Sequence, residues 1–171
     1  LCRPVSGFQD IAVMKRLAIL GSTGSIGTNT LAVVEQHPDK FSVAALVAHK
    51  DVDGLFKQCL RWRPPWVAMS DPSSCDKLKS RLKEAGLACQ ISSGPAALDQ
   101  IAMSSDVDAV MAAIVGSAGL SSTLAAARAG KQVMLANKEA LVMAGALLTQ
   151  AIRDGGSVLL PVDSEHVTSA E

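Results

Sequence analysis

The chain contains no tyrosine, and only three phenylalanines and two tryptophans among its 171 residues. Reduction through a tyrosine and lysine pair, the chemistry of short-chain dehydrogenases, is therefore excluded. An excess of charge is also missing, since 16 Lys and Arg balance 16 Asp and Glu. Without a basic block there is no electrostatic footprint for nucleic acid or for an anionic membrane surface. No apolar run reaches the roughly 20 residues that a bilayer-spanning helix requires. The four cysteines, Cys2, Cys59, Cys75 and Cys89, form no CxxC pair, and no histidine lies at ligand spacing from them. That excludes a structural zinc site and predicts reduced thiols in a cytoplasmic protein. Repeats, low-complexity tracts and linkers are absent too.

What is present is a dense apolar chain: 49% hydrophobic and 19% charged residues, enough to bury a substantial core in one domain. Residues 1–13 lack the continuous apolar stretch of a signal peptide and read as an N-terminal extension, with Met14 as the natural start. From Lys15 onward, apolar runs alternate with amphipathic stretches. Strands are expected at 16–20, 41–48, 66–69, 87–91, 107–115, 132–136 and 158–160. Helices are expected at 25–36, 52–61, 73–85, 95–103, 121–129 and 140–153. Strand and helix at this rhythm predict an α/β fold, a doubly wound Rossmann-like domain on a mostly parallel sheet. The continuous apolar character of the strands fits burial on both faces. The domain spans 14–160, and 161–171 reads as the start of a second, catalytic domain.

Gly21-Ser-Thr-Gly-Ser-Ile-Gly27 follows the first strand and opens the first helix. Glycines there permit a tight turn and close approach of the backbone to a pyrophosphate, while amides at the helix N-terminus face the anion. The competing reading is a purely structural turn. At the end of the second strand, where an NAD site places a carboxylate, the chain has His49 and Lys50, which suit the 2′-phosphate of NADPH. Asp51 beside them would oppose a phosphate unless turned away. The alternative is that His49 and Lys50 are ordinary solvated loop residues.

Two further clusters follow strands. Asn137, Lys138 and Glu139 can contact cofactor and substrate together, or simply cap and open the next helix. Asp163 and Glu165, two apart in extended backbone, can share a hard divalent cation such as Mg2+ or Mn2+, with Ser164 between them as a hydrogen-bond donor and His166 beside them. The bland reading is a solvated acidic turn. Met103, Met111, Met134 and Met143 read as core filler, and the basic cluster from Lys77 to Lys83 as a solvated helix face.

Four stretches in order carry a family resemblance: LysArgLeuAlaIleLeuGlySerThrGlySerIleGly from Lys15, MetAlaAlaIleValGlySerAlaGlyLeu from Met111, LeuAlaAsnLysGluAlaLeuVal from Leu135 and LeuLeuProValAspSerGluHis from Leu159. Together they resemble 1-deoxy-D-xylulose 5-phosphate reductoisomerases, from about Met14 to His166. The resemblance implies an NADPH- and divalent-metal-dependent enzyme that rearranges a ketose phosphate and reduces the branched aldehyde to 2-C-methyl-D-erythritol 4-phosphate. It implies that Thr23, Gly24, Ser25 and Ile26, within the Gly21–Gly27 turn, hold the pyrophosphate. It assigns Asn137 and Glu139 to the cofactor, Lys138 to substrate, Asp163 and Glu165 to metal, and Ser164 and Glu165 also to substrate. A homodimer is the typical family assembly.

Two departures stand out. Family members carry Gly-Lys-Asn or a similar set where this chain has His49-Lys50-Asp51. After His166 the family pattern continues into a catalytic domain, whereas this chain reads ValThrSerAlaGlu and stops. The expectation is a fragment that does not turn over alone. The competing class is a non-catalytic dinucleotide-binding module.

Overall fold

The computed structural model describes residues 13–136 and 138–162, with only the backbone described at 138 and 140. Seven strands form one sheet: β1 (Lys15–Leu20), β2 (Phe41–Ala48), β3 (Trp66–Met69), β4 (Gln90–Ser93), β5 (Ala109–Ala112), β6 (Gln132–Leu135) and β7 (Val158–Pro161). The order across the sheet is β4-β3-β2-β1-β5-β6-β7. Every pairing is parallel, so the expected mostly parallel sheet is parallel throughout. The chain winds outward from β1 to β4, crosses back, and winds outward again from β5 to β7. The switch point therefore falls between β1 and β5.

Among the described residues six α-helices cover the two faces: α1 (Ser25–Gln36), α2 (Val52–Trp62), α3 (Pro72–Glu84), α4 (Pro95–Met103), α5 (Leu120–Arg128) and α6 (Lys138–Gly155). Parallel strands buried on both faces should read as apolar runs, and the register shows how that burial is arranged. One row runs across all seven strands as Ile91, Val67, Leu46, Ile19, Met111, Met134 and Leu160. Val67, Leu46, Ile19 and Met111 belong to the core that includes Leu31 and Val34 of α1, Leu55 of α2 and Leu78 of α3, and Ile91 and Met134 pack against it half-buried. The neighbouring row, Ala68, Val47, Leu20, Ala112 and Leu135, faces the opposite core with Leu98 and Ile101 of α4, Ala126 of α5 and Leu148 of α6. Burial along the first row is complete at Val67, Leu46 and Ile19 and falls to 39% exposure at Leu160.

The helix expectations hold within a few residues, with two instructive differences among the strands. The apolar run 107–115 contributes only Ala109–Ala112 to the sheet, because β1 and β6 each offer it four partners. The edge strand β4 starts at Gln90 rather than Leu87, since β3 alone pairs with it and that pairing begins at Trp66. The two flanks of the methionine set also differ from expectation. Met111 is buried, but Met103 and Met143 are 49% and 58% exposed on the outer faces of α4 and α6. Trp66 packs on one core, Trp62 on the other. Cys59, Cys75 and Cys89 are free thiols. Burial pushes the Cys59 thiol up to about 12, so it stays protonated.

At the amino ends of the strands, opposite the predicted site, Arg16 locks β1 to the start of β5. Its Nε and Nη2 donate to Asp108 Oδ2 and Oδ1, both at 3.0 Å, and its backbone amide donates to Oδ2 at 2.8 Å. These bonds hold the Asp108 carboxyl below its ordinary value. Among the described residues no helix is long and apolar enough to cross a membrane.

Candidate functional site

All seven strands point the same way, so the segments that follow them gather along one edge of the sheet. In open α/β sheets that carboxyl edge, at the switch point, is where ligands bind. The glycine turn sits there, between β1 and α1. Its backbone is held on several sides. The amides of Gly21 and Ser22 both donate to Val47 O at 2.9 Å, tying the turn to β2. Gln58 Nε2 of α2 donates to Ser22 O at 2.9 Å. On the other side the turn abuts the end of β5.

Two of the three glycines are required by geometry. Gly21 has φ +86°, and a Cβ there would lie 2.9 Å from Ala113 O. A Cβ on Gly27 would lie 2.3 Å from Gly21 O and 2.5 Å from Ser22 Cα. Gly24 differs: a Cβ there would meet only Gly21 O at 3.6 Å, an ordinary contact. Gly24 is exposed and stands at the N-cap of α1 with no side-chain hydrogen bond into the helix. A helix leaves its first four amides without intrahelical acceptors. At α1 no side-chain cap hydrogen bond is made among the described residues, and Gly24 and Ser25 face solvent. The end of α1 is thus electropositive and open to an anion.

The other two helices on that face are closed. Asp51 caps α2, its Oδ1 accepting from Gly54 N at 2.9 Å. The sequence left open whether this carboxylate would oppose a phosphate near Lys50; it is turned into its own helix. Asp71 caps α3 and accepts from Ser74 N at 3.0 Å, Ser74 Oγ at 2.6 Å and Ser73 Oγ at 2.9 Å. The Ser74 and Ser73 bonds, with Lys50 nearby, hold the Asp71 carboxyl down at about 2. Its folded value lies below the unfolded one, so its contribution to stability is complete above the ordinary carboxylate range. It is lost as pH falls from ~4 through ~2. Urea unfolding of wild type and Asp71→Asn should therefore show a wild-type advantage at neutral pH that shrinks near pH ~3. An advantage that grows on acidification would contradict this account of the cap.

His49 and Lys50 follow β2 directly and are both exposed. His49 Nδ1 lies 2.5 Å from Ser70 Oγ at the end of β3. Lys50 lines a recess of about 600 Å3 with Lys77 and Arg81. Arg81 is already committed, paired with Asp53 and lying 4.2 Å over the Phe56 ring. It is a tethered residue rather than the plain solvated side chain expected from sequence.

At the far side of the switch point, Ala136 N donates to Ala112 O at 3.3 Å, carrying the chain from β6 past the end of β5. The backbone of Lys138 opens α6, and Glu139 is exposed in its first turn, where a carboxylate suits the helix dipole. Ala144 breaks the helical geometry with φ −135° and ψ 23°, so residues 138–143 form a short leading segment. Val162 N donates to Leu135 O at 2.9 Å, which sets the exit of β7 beside the exit of β6. Asn137, Asp163, Ser164, Glu165 and His166 lie outside the described residues. Among the described residues no cluster of three or more metal-ligating side chains occurs.

The structure thus brings the glycine turn, His49 with Lys50, and Lys138 with Glu139 to one edge of one sheet. Sequence reasoning missed Ser22 and Ser70. Ser22 is fully buried beneath the turn, and its Oγ has no protein partner among the described residues. Ser70 precedes Asp71-Pro72, a cap with proline at the first helical position, and that signal could have placed it at the end of β3.

A sequence model of 1-deoxy-D-xylulose 5-phosphate reductoisomerase matches residues 17–145. The 1-deoxy-D-xylulose 5-phosphate reductoisomerase of Paraburkholderia phytofirmans is 54% identical over 154 residues, 90% of this chain and 38% of that protein. A crystal structure of DOX-P reductoisomerase in complex with NADPH, fosmidomycin and magnesium superposes with a TM-score of 0.85 at 48% identity, over 90% of this chain and 37% of that one. The Zymomonas mobilis enzyme in complex with NADPH gives 0.83 at 45% identity, over 90% and 40%. This chain spans 37–40% of the length of these relatives.

Proposed function

This chain belongs to the 1-deoxy-D-xylulose 5-phosphate reductoisomerase family, and we propose that it is the NADPH-binding part of such an enzyme. The full activity would convert 1-deoxy-D-xylulose 5-phosphate to 2-C-methyl-D-erythritol 4-phosphate, in a cytoplasmic homodimer. The observation that carries the reading is the open N-terminus of α1 at the switch point, on a face whose other two helices, α2 and α3, have their ends closed by Asp51 and Asp71.

In this reading Thr23, Gly24, Ser25 and Ile26 bind the pyrophosphate through backbone amides. Gly21 and Gly27 give the turn its shape, and His49 and Lys50 meet the 2′-phosphate. Asn137 and Glu139 orient the cofactor further along the edge, and Lys138 holds the sugar phosphate substrate. Asp163 and Glu165 would hold Mg2+ or Mn2+, and Ser164 and Glu165 would also touch substrate. The metal, when bound, would chelate the substrate oxygens and stabilise the charge that develops as the carbon skeleton shifts. NADPH and magnesium accompany the similar solved enzymes, which supports both assignments.

The test is calorimetric titration of the chain with NADPH and with NADH. NADPH should bind at least roughly tenfold tighter, a difference of about 1.4 kcal/mol. Equal affinity would remove His49 and Lys50 from the 2′-phosphate, and no binding of either would overturn the cofactor site. Given substrate and magnesium, the same chain is expected to show no steady NADPH consumption. Sustained turnover would refute that part.

A further inference from the structure

The cofactor preference rests on a corner of the structure that the sequence did not reveal. His49 is the first residue after β2, and Ser70 the first after β3. The two strands pair in parallel, with Ala48 opposite Met69. The register therefore fixes His49 and Ser70 as neighbours. Ser70 N donates to Ala48 O at 3.0 Å and Asp71 N to His49 O at 3.3 Å, so both backbones are tied at this point. The side chains then meet, with Nδ1 of the ring 2.5 Å from Ser70 Oγ.

We infer that Ser70, acting through its contact with His49, is a positioning residue that sets the preference for a dinucleotide bearing a 2′-phosphate. The inference rests on the NADPH reading proposed above. The end of β2 is where the adenosine ribose of a dinucleotide lies in this kind of sheet. A helix N-terminus is the usual anion site, but the two that begin at this corner are filled by their own aspartates. A phosphate here must be met by side chains. Arg81 is engaged by Asp53 and Phe56; Lys50 and Lys77 line the recess, and His49 adjoins Lys50 at the end of β2, nearest the ribose position.

Lys50 is a long flexible cation that can follow the phosphate wherever it lies. The exposed imidazole is different. With Nδ1 committed to Ser70, its Nε2 edge keeps one direction, and a ligand need not fix the ring on binding. Without the hydroxyl the ring rotates freely in solvent, and ordering it is charged against the affinity for NADPH. NADH has no phosphate to meet the ring, so the same loss leaves its affinity unchanged.

The experiment is titration of NADPH and NADH into wild type, Ser70→Ala, His49→Ala and the double variant. Ser70→Ala should weaken NADPH by roughly three- to tenfold while NADH changes by less than about twofold. His49→Ala should weaken NADPH by at least as much, and adding Ser70→Ala to it should cost nothing more. The inference is overturned if Ser70→Ala binds NADPH as wild type does, or loses both dinucleotides equally. It is also overturned if Ser70→Ala still costs affinity in the absence of His49. Failure of the underlying cofactor reading looks different: wild type itself would bind neither dinucleotide, or both alike.

Discussion

Gly27→Ala should destabilise the chain by about 3 kcal/mol or more and abolish dinucleotide binding. The reason is the identity of the atoms in the way. The added Cβ would lie 2.3 Å from Gly21 O, 2.5 Å from Ser22 Cα and 2.6 Å from Ser22 C. These are backbone atoms, pinned by the bonds from Gly21 and Ser22 to Val47. A flexible side chain could swing aside, whereas this turn can yield only by moving off β2 or by unwinding the first turn of α1. Either movement dismantles the open helix end that faces the crevice. Gly24→Ala is the internal comparison. Its Cβ would meet a single atom at 3.6 Å, and Gly24 has an unexceptional φ of −73°. Stability should change by less than about 0.5 kcal/mol, yet the methyl would stand where a pyrophosphate must approach the amides. Urea unfolding and NADPH titration of the two variants should therefore separate the architectural glycine from the ligand-facing one. If both lose stability alike, Gly24 is architectural too; if neither loses affinity, the pyrophosphate lies elsewhere.

Much of this arrangement can be read from the chain because the signals are local. A glycine turn after an apolar run and before an amphipathic one places itself, since strand direction and helix start fix the position of the loop between them. The same holds for His49 and Lys50 at the end of β2, and for Lys138 and Glu139 at the start of α6. What could not be read is contact between segments far apart in sequence. Ser70 lies 21 residues from His49, and Gln58 lies 36 from Ser22. The first contact is set by the register of β2 on β3, the second by the packing of α2 over the turn, and neither leaves a periodicity in the sequence. Asp51 is a different case, since its partner lies only three residues away. Its identity suggested repulsion of a phosphate, and only the bond to Gly54 N shows that it is spent on its helix. Strand lengths escaped for a related reason. The apolar run around β5 is longer than the strand because pairing ends where the neighbouring strands end, which is a property of β1 and β6.

Ile19→Ala should cost about 2–5 kcal/mol, a large part of the roughly 5–15 kcal/mol available to a domain of this size. Ile19 is fully buried near the carboxyl end of the central strand. Its register partners are Leu46 on β2 and Met111 on β5, both buried, and this row lies under the helical layer that includes Leu31, Val34, Leu55 and Leu78. Truncation there opens a cavity walled by strands on two sides, where paired backbones cannot close in, so the upper part of the range is expected. Leu147→Ala, on the 58% exposed side of α6, should stay within about 0.5 kcal/mol. Ile19 stands two residues before Gly21, which makes it a test of how far the site depends on the core beneath it. Its side chain points into the helical layer and not along the strand toward the turn. The bonds that hold the turn, from Gly21 and Ser22 to Val47 and from Gln58 to Ser22, involve no atom of Ile19. Folded Ile19→Ala should therefore keep the wild-type ratio of NADPH to NADH affinity while its urea midpoint falls. A changed ratio would mean that the packed row and the cofactor edge move as one body, and that the turn is set by the core as much as by its own glycines.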